Sequence, residues 1–347
     1  MPRYLHYFAV LVVAFLISAC SRPQPGVQEQ QFVAFGTLIS VTLYAVDEQQ
    51  AQRAFQELEA YFNQLHHDWH AWEPSPLVEL NQALATQGAA EVPAVILPLI
   101  TPAQRLSIAS GGLFNPAMGG LFALWGFQSD DPPRTPPADA EINSLLAQHP
   151  SMADLQLNGT TLRTTNPAVK LDFGAFAKGY AAQLGCKRLQ QLGIDNAIVA
   201  VAGDIHVIGN RGERAWRVGV RHPRTPGIIA STELHDGESI STSGDYERYF
   251  DVDNIRYHHL LDPRTGYPAR GAISVTVINN DGATADASAS ALFIAGVEHW
   301  AEVAKAMGVD QVMLIDIEGE AHLTPAMAAR LRIEGDPAPE LYIQELP

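Results

Sequence analysis

The chain has 347 residues, with 38 acidic against 22 basic side chains and a formal net charge of −16 at pH 7. That balance excludes nucleic-acid binding, which needs a basic surface to neutralise phosphates. It excludes little else.

At the N-terminus Arg3 precedes an apolar run from Tyr7 to Leu16, too short to span a bilayer comfortably. Ile17-Ser18-Ala19-Cys20 then has the small-residue pattern of a lipoprotein cleavage site. Residues 1–19 read as a removed signal peptide, Cys20 as the acylated N-terminus, residues 20–31 as a polar tether, and residues 32–347 as the functional domain. An ordinary secretory peptide cleaved nearby is the alternative. Ser21 carries no acidic retention signal, so a periplasm-facing anchor in the outer membrane is expected ahead of the inner one. The second cysteine, Cys186, lies among Leu184, Leu189 and Leu192 and is expected to be a buried, inert thiol without a disulfide partner.

Hydrophobic periodicity predicts a strand over Gly36–Ala45 and then helices over Glu48–His66, Leu77–Leu84, Pro98–Ser110 and Ala138–Ala147. The cluster His66, His67, Asp68 and His70 has the look of a transition-metal site, but it reads better as a polar helix end. A helix over Ala175–Leu192, capped by Gly193, comes next. Strands follow over Ala197–Ala202, His206–Ile208, Trp216–Arg221, Ser239–Thr242, Glu247–Val252, Ile255–Leu261, Ser274–Ile278 and Gln311–Ile315. Helices over Ala283–Ala295 and His299–Met307 complete the set. The pattern is α+β with a largely antiparallel sheet core.

Three segments carry chemistry. In Leu171 to Ala181 an acidic residue, Asp172, ends an extended run, small residues lead into a helix whose amides attract phosphate, and Lys178 follows to neutralise an anion. In Asn254 to Pro268 a strand delivers His259 and Asp262 to a turn fixed by Pro263 and Gly266, although a surface histidine at a hairpin end is equally compatible with that segment alone. In Ala283 to Phe293, Asp286 and Ser290 are four residues apart on one helix face and offer a carboxylate and a hydroxyl to one hard cation; N-capping by Asp286 is the alternative.

Together with Phe35-Gly36-Thr37, Ser110 to Pro116, Leu124-Trp125-Gly126-Phe127, Gly203-Asp204 and Ser243-Gly244-Asp245-Tyr246, in this order, these segments resemble the FAD:protein FMN transferases, the ApbE-like family. Because the matching motifs flank it on both sides, the Pro-rich stretch Asp130 to Pro137 reads as a surface loop and not as a domain boundary. The resemblance implies a two-lobed fold with the flavin nucleotide in a cleft between lobes. It also implies transfer of FMN from FAD to a Ser or Thr hydroxyl, with release of AMP.

On that resemblance, Mg²⁺ would be held by Asp286, Ser290 and the carbonyl oxygen of Ala175. Phe35, Trp72, Leu113, Phe114, Asn115, Asp172, Lys178 and Leu260 would contact FAD. His259 would be the general base, and Asp262 would orient the turn or the imidazole. Ser290 stands where many relatives have Thr, and Ala175, Gly120 and Ala202 where Gly, Pro and Gly are frequent, without loss of a reactive group. The implied acceptors are subunits of membrane redox complexes such as the sodium-pumping NADH:quinone reductase and the Rnf complex. FAD carriage, or hydrolysis of FAD to FMN and AMP, is the alternative activity, and a nucleotide-free scaffold a third.

Overall fold

The computed structural model describes residues 26–129, 135–334 and 338–347. The expected signal peptide, Cys20 and the first part of the Pro-rich loop lie outside the described residues. In chain order the elements begin with β1 (Val27–Ala34), β2 (Thr37–Tyr44), α1 (Glu48–Asp68), α2 (Pro76–Gln87), β3 (Ala89–Glu91), α3 (Leu97–Ala109), α4 (Gly119–Leu124) and α5 (Asp139–Leu146). Next come β4 (Leu155–Asn158), β5 (Thr161–Thr164), α6 (Ala177–Gln191), β6 (Ala197–Val201), β7 (Asp204–Ile208), β8 (Trp216–Arg221), β9 (Ile228–Leu234), β10 (Ser239–Gly244), β11 (Tyr249–Val252) and β12 (Ile255–His258). The last are β13 (Ser274–Asn279), α7 (Gly282–Met307), β14 (Val312–Ile315), β15 (Ala321–Leu323), α8 (Pro325–Ala328), β16 (Arg332–Ile333) and β17 (Leu341–Ile343).

Nine strands form the main sheet in the order β1-β2-β6-β7-β10-β13-β14-β15-β17, antiparallel except for the parallel β15–β17 pair at one edge. This is the expected α+β architecture with a largely antiparallel sheet. The expected tether loses its last residues to β1, whose full length pairs with β2 from Val27↔Tyr44 to Ala34↔Thr37. Periodicity missed this strand because only Phe32 and Ala34 of it are buried, and ladder hydrogen bonds fix the rest. β9 was missed as well; it pairs with β8 outside the main sheet.

The helices form where local sequence directs them. Asp47 accepts a hydrogen bond from the Gln50 amide to cap α1, whose buried Ala51, Ala54, Phe55, Leu58, Phe62 and Leu65 follow helical spacing. Asp281 caps α7 in the same way. From Gly282 to Gly296 every residue of α7 is buried, because small side chains let it lie against β10, β13, α3 and α6. At Gly296 (φ +68°) the helix breaks, which produces the two expected helical segments. The central strands β10 and β13 are buried on both faces. Val275 and Val277 face the helical side, while Ile240 and Ile278 face the β8–β9 side. Among the described residues no helix is long and apolar enough to cross a membrane.

Candidate active site

A cleft of about 950 Å³ is lined by the β1–β2 tip, the exit of α1, the turn after α3, the approach to α6, the β6–β7 corner, the end of β10 and the start of the turn after β12. Phe35, Trp72, Leu113, Phe114, Asn115, Asp172, Ala175, Lys178, His259, Leu260, Asp286 and Ser290 all line it, although they span most of the chain. Asp262 does not. Its carboxylate is bound by the Arg264 side chain at 2.7 Å and accepts the Arg264 amide at 2.9 Å, so it shapes the turn.

The turn itself rests on a separate aromatic cluster. Trp125 is fully buried among Phe127, Phe250 and Tyr257, and its indole N–H donates to the Gly266 carbonyl at 2.8 Å. A Cβ at Gly266 (φ +76°) would meet Ile142 at 2.4 Å, so the Leu-Trp-Gly-Phe motif and the Asp-Pro-Arg-Thr-Gly turn form one anchored unit. The end of β12 at His258 then separates two adjacent histidines. His258 points inward: its Nε2 meets the Ala269 carbonyl at 2.8 Å, and burial pushes its pKa down to about 4. His259 lines the cleft with a buried Nδ1 that has no hydrogen-bond partner among the described residues.

Burial pushes His259 down to about 3, assisted by the neighbouring His258, Lys178 and Arg248. Near-neutral titration, expected from the residue type, therefore does not hold in this cleft. The imidazole is neutral and able to accept a proton over the whole physiological range, but as a weak base until negative charge arrives beside it.

The opposite chemistry gathers where α6 and α7 meet. Lys178 Nζ lies 3.2 Å from Asp204 Oδ2 and 3.6 Å from Asp286 Oδ2. Burial opposes the ammonium charge, but these two carboxylates outweigh it and raise its pKa. Asp204 is itself pushed up by burial and by Asp286. Asp286 Oδ2 accepts the Gly179 amide at 3.0 Å, which aims the carboxylate across the helix contact. Ser290 Oγ is 3.0 Å from Ser243 Oγ, and both line the cleft with Ala175. Two carboxylates on one ammonium, with hydroxyls beside them, make an all-oxygen donor set of net negative charge suited to a hard divalent cation. Asp172, whose pKa is raised by burial, accepts the Gly174 amide at 2.8 Å and holds the approach to α6. The helix begins at Ala177, two residues later than expected, so Gly174 to Phe176 form a turn before it.

Trp72 lines the cleft already stacked on Phe122, 5.8 Å between centroids, with the Lys170 ammonium 5.0 Å over its ring. Cys186 is buried against the His206 carbonyl, and burial pushes its thiol pKa up, as expected of an inert residue. Sequence reasoning passed over Arg248, which donates to the Phe127 carbonyl at 3.1 Å and has no ion-pair partner among the described residues. It also gave Asp204 no role. The available signal was an acid at the β6–β7 corner, where Ala202 takes a left-handed φ of +55° and both flanking strands are apolar.

Fold and cleft together define a class: an α+β protein in which carboxylates, hydroxyls, an ammonium and a neutral imidazole line one aromatic-walled cavity. The ApbE family model matches residues 35–313, and the chain belongs to that family. The FAD:protein FMN transferase of Rhodobacter capsulatus is 44% identical over 341 residues, covering 98% of this chain and 65% of that protein, so the chain spans less than two thirds of that relative's length. The FAD:protein FMN transferase of Klebsiella pneumoniae is 34% identical over 272 residues, covering 77% of this chain and 82% of that protein. Among solved structures, the ApbE protein of Thermotoga maritima superposes with a TM-score of 0.81 at 30% identity, covering 88% of this chain and all of that one. The flavin transferase ApbE of Vibrio cholerae superposes with a TM-score of 0.77 at 26% identity, covering 88% and 99%.

Proposed function

We propose that this protein transfers FMN from FAD to a Ser or Thr hydroxyl of an acceptor protein. The observation that carries this reading is the placement of His259, with its unpartnered Nδ1, in the same cleft as the Asp286, Ser290 and Lys178 cluster. The acceptor oxygen bonds to the flavin-side phosphorus of the pyrophosphate, the bridging P–O bond breaks, AMP leaves, and the hydroxyl proton passes to the His259 imidazole. Incoming pyrophosphate brings the negative charge that strengthens His259 as a base at the moment it is needed. Lys178 and Arg248 supply fixed positive charge for the phosphates. Asp286, Ser290 and the Ala175 carbonyl would hold Mg²⁺, which when bound neutralises pyrophosphate charge.

Incubating the protein with FAD, Mg²⁺ and a flavin-accepting domain, then weighing both products, tests the reading. An acceptor heavier by one FMN supports it; free FMN and AMP with an unmodified acceptor would establish hydrolysis instead. The favoured acceptors are flavin-carrying subunits of membrane redox complexes of the sodium-pumping NADH:quinone reductase and Rnf kinds. Acylation of Cys20 would hold the enzyme on a periplasm-facing membrane surface, the outer membrane ahead of the inner. Retention of lipid label by a Cys20→Ser protein would contradict that placement.

A further inference from the structure

At the aromatic end of the cleft two imidazoles stand one helical turn apart. His66 lies in the last turn of α1 and His70 just beyond its end, with ring centroids 5.1 Å apart at 71°, and both line the cavity. Each has its Nδ1 engaged by backbone. The Phe35 amide donates to His66 Nδ1 at 3.2 Å, and the Trp72 and Glu73 amides donate to His70 Nδ1 at 3.2 and 2.9 Å. An amide N–H can only donate, so both Nδ1 atoms carry lone pairs and no proton. The proton of each neutral ring therefore sits on Nε2, and neither Nε2 has a hydrogen-bond partner among the described residues. An imidazole in that tautomer has no free lone pair for a metal, which agrees with a helix end and not a metal site.

We propose that His66 and His70 are a pair of Nε2–H donors that bind acceptor atoms, carbonyl oxygen or ring nitrogen, on a ring system of the flavin nucleotide. The inference rests on the FAD reading above and names which residues recognise a ring. Phe35 meets His66 edge-on at 5.6 Å, and Trp69 and Trp72 flank His70 in sequence, so flat apolar surface adjoins the two donors. Phosphate is the poorer ligand here, because burial and the adjacent His70 lower the His66 pKa and keep that donor uncharged.

Asparagine at either position can place its Oδ1 near Nδ1 and keep the backbone bond while deleting the distal donor; glutamine can restore a donor near Nε2. The test is titration of the full chain with FAD, FMN and ADP, with thermal unfolding recorded for each variant. His66→Asn and His70→Asn are each expected to weaken FAD binding about five- to tenfold, the scale of one lost neutral hydrogen bond, with glutamine variants nearer the parent. The same loss with FMN places the pair on the isoalloxazine, and with ADP on the adenine. Folded asparagine variants with parent affinity for all three ligands would overturn the proposal alone. A parent protein that binds no FAD would overturn it together with the transferase reading. Should a variant fail to fold, ring-nitrogen chemical shifts of the parent decide: protonated Nε2 at both residues supports the pair, and a proton on either Nδ1 refutes it.

Discussion

His258 and His259 are chemically identical and adjacent, yet they meet different surroundings, because β12 ends at His258 and the chain bends at His259. His258 is locked to the Ala269 carbonyl and edge-on to Phe293, whereas His259 keeps a buried Nδ1 with no hydrogen-bond partner among the described residues. Substitution of His259 by Ala should leave FAD affinity near the parent value and lower single-turnover transfer by about 10²- to 10⁴-fold, the usual worth of a positioned base. Transfer at the parent rate with weakened FAD binding would reassign His259 to positioning the nucleotide. Asp286 is held by the Gly179 amide and faces Lys178. Asp286→Ala removes the charged oxygen donor on α7, so Mg²⁺ affinity read by calorimetry should fall by more than about tenfold, since changes to outer partners alone have that effect. Unchanged Mg²⁺ affinity in the folded variant would remove Asp286 from the metal site.

At the scale of elements, the decisive contact is the crossing of α6 and α7. A Cβ at Gly179 would stand 2.3 Å from the Gly282 carbonyl oxygen and 2.8 Å from Asp286 Cβ, and a Cβ at Gly282 would stand 2.3 Å from the Gly179 carbonyl. Two glycines thus allow the helices to approach until a backbone amide of one reaches a carboxylate of the other. Gly179→Ala must push backbone against backbone. It is expected to lower unfolding free energy by roughly 1–3 kcal/mol, the range for overpacking, and to weaken Mg²⁺ binding by shifting Asp286. Urea titration and calorimetry on the same sample read both effects; a variant of parent stability would show that the crossing can relax.

Across the whole molecule, the fold buries imidazoles that the unfolded chain would protonate. Burial lowers His206 and His258 to about 4 from an ordinary value near 6.5. The unfolded chain therefore takes up these protons first as pH falls. Their stabilising contribution is complete above about pH 6.5 and is lost progressively as pH drops towards 4, by roughly 3 kcal/mol for each histidine at the low end. Denaturation midpoints should fall steeply between pH 6.5 and 4, with a flatter dependence in His258→Gln. An equal slope in parent and variant would show that other groups carry the acid sensitivity.

The helices with apolar spacing and the central strands were legible in the sequence, because caps, periodicity and turn chemistry act over a few neighbours; that the motif residues other than Asp262 line one cleft was not. β1 was not legible, since its polar residues are held by pairing with β2 and not by burial of their own. Of the two roles open to Asp262, the turn and the imidazole, only the structure selects the turn, because nothing local says that Arg264 captures its carboxylate. Asp204, Arg248 and the His66–His70 pair acquire meaning only when the β6–β7 corner, the start of β11 and the exit of α1 meet around one cavity. The sequence by itself determined which groups are available and in what local geometry each is presented. Only the tertiary structure decided their ionisation and partners, because burial and electrostatic interaction depend on distances between segments far apart along the chain.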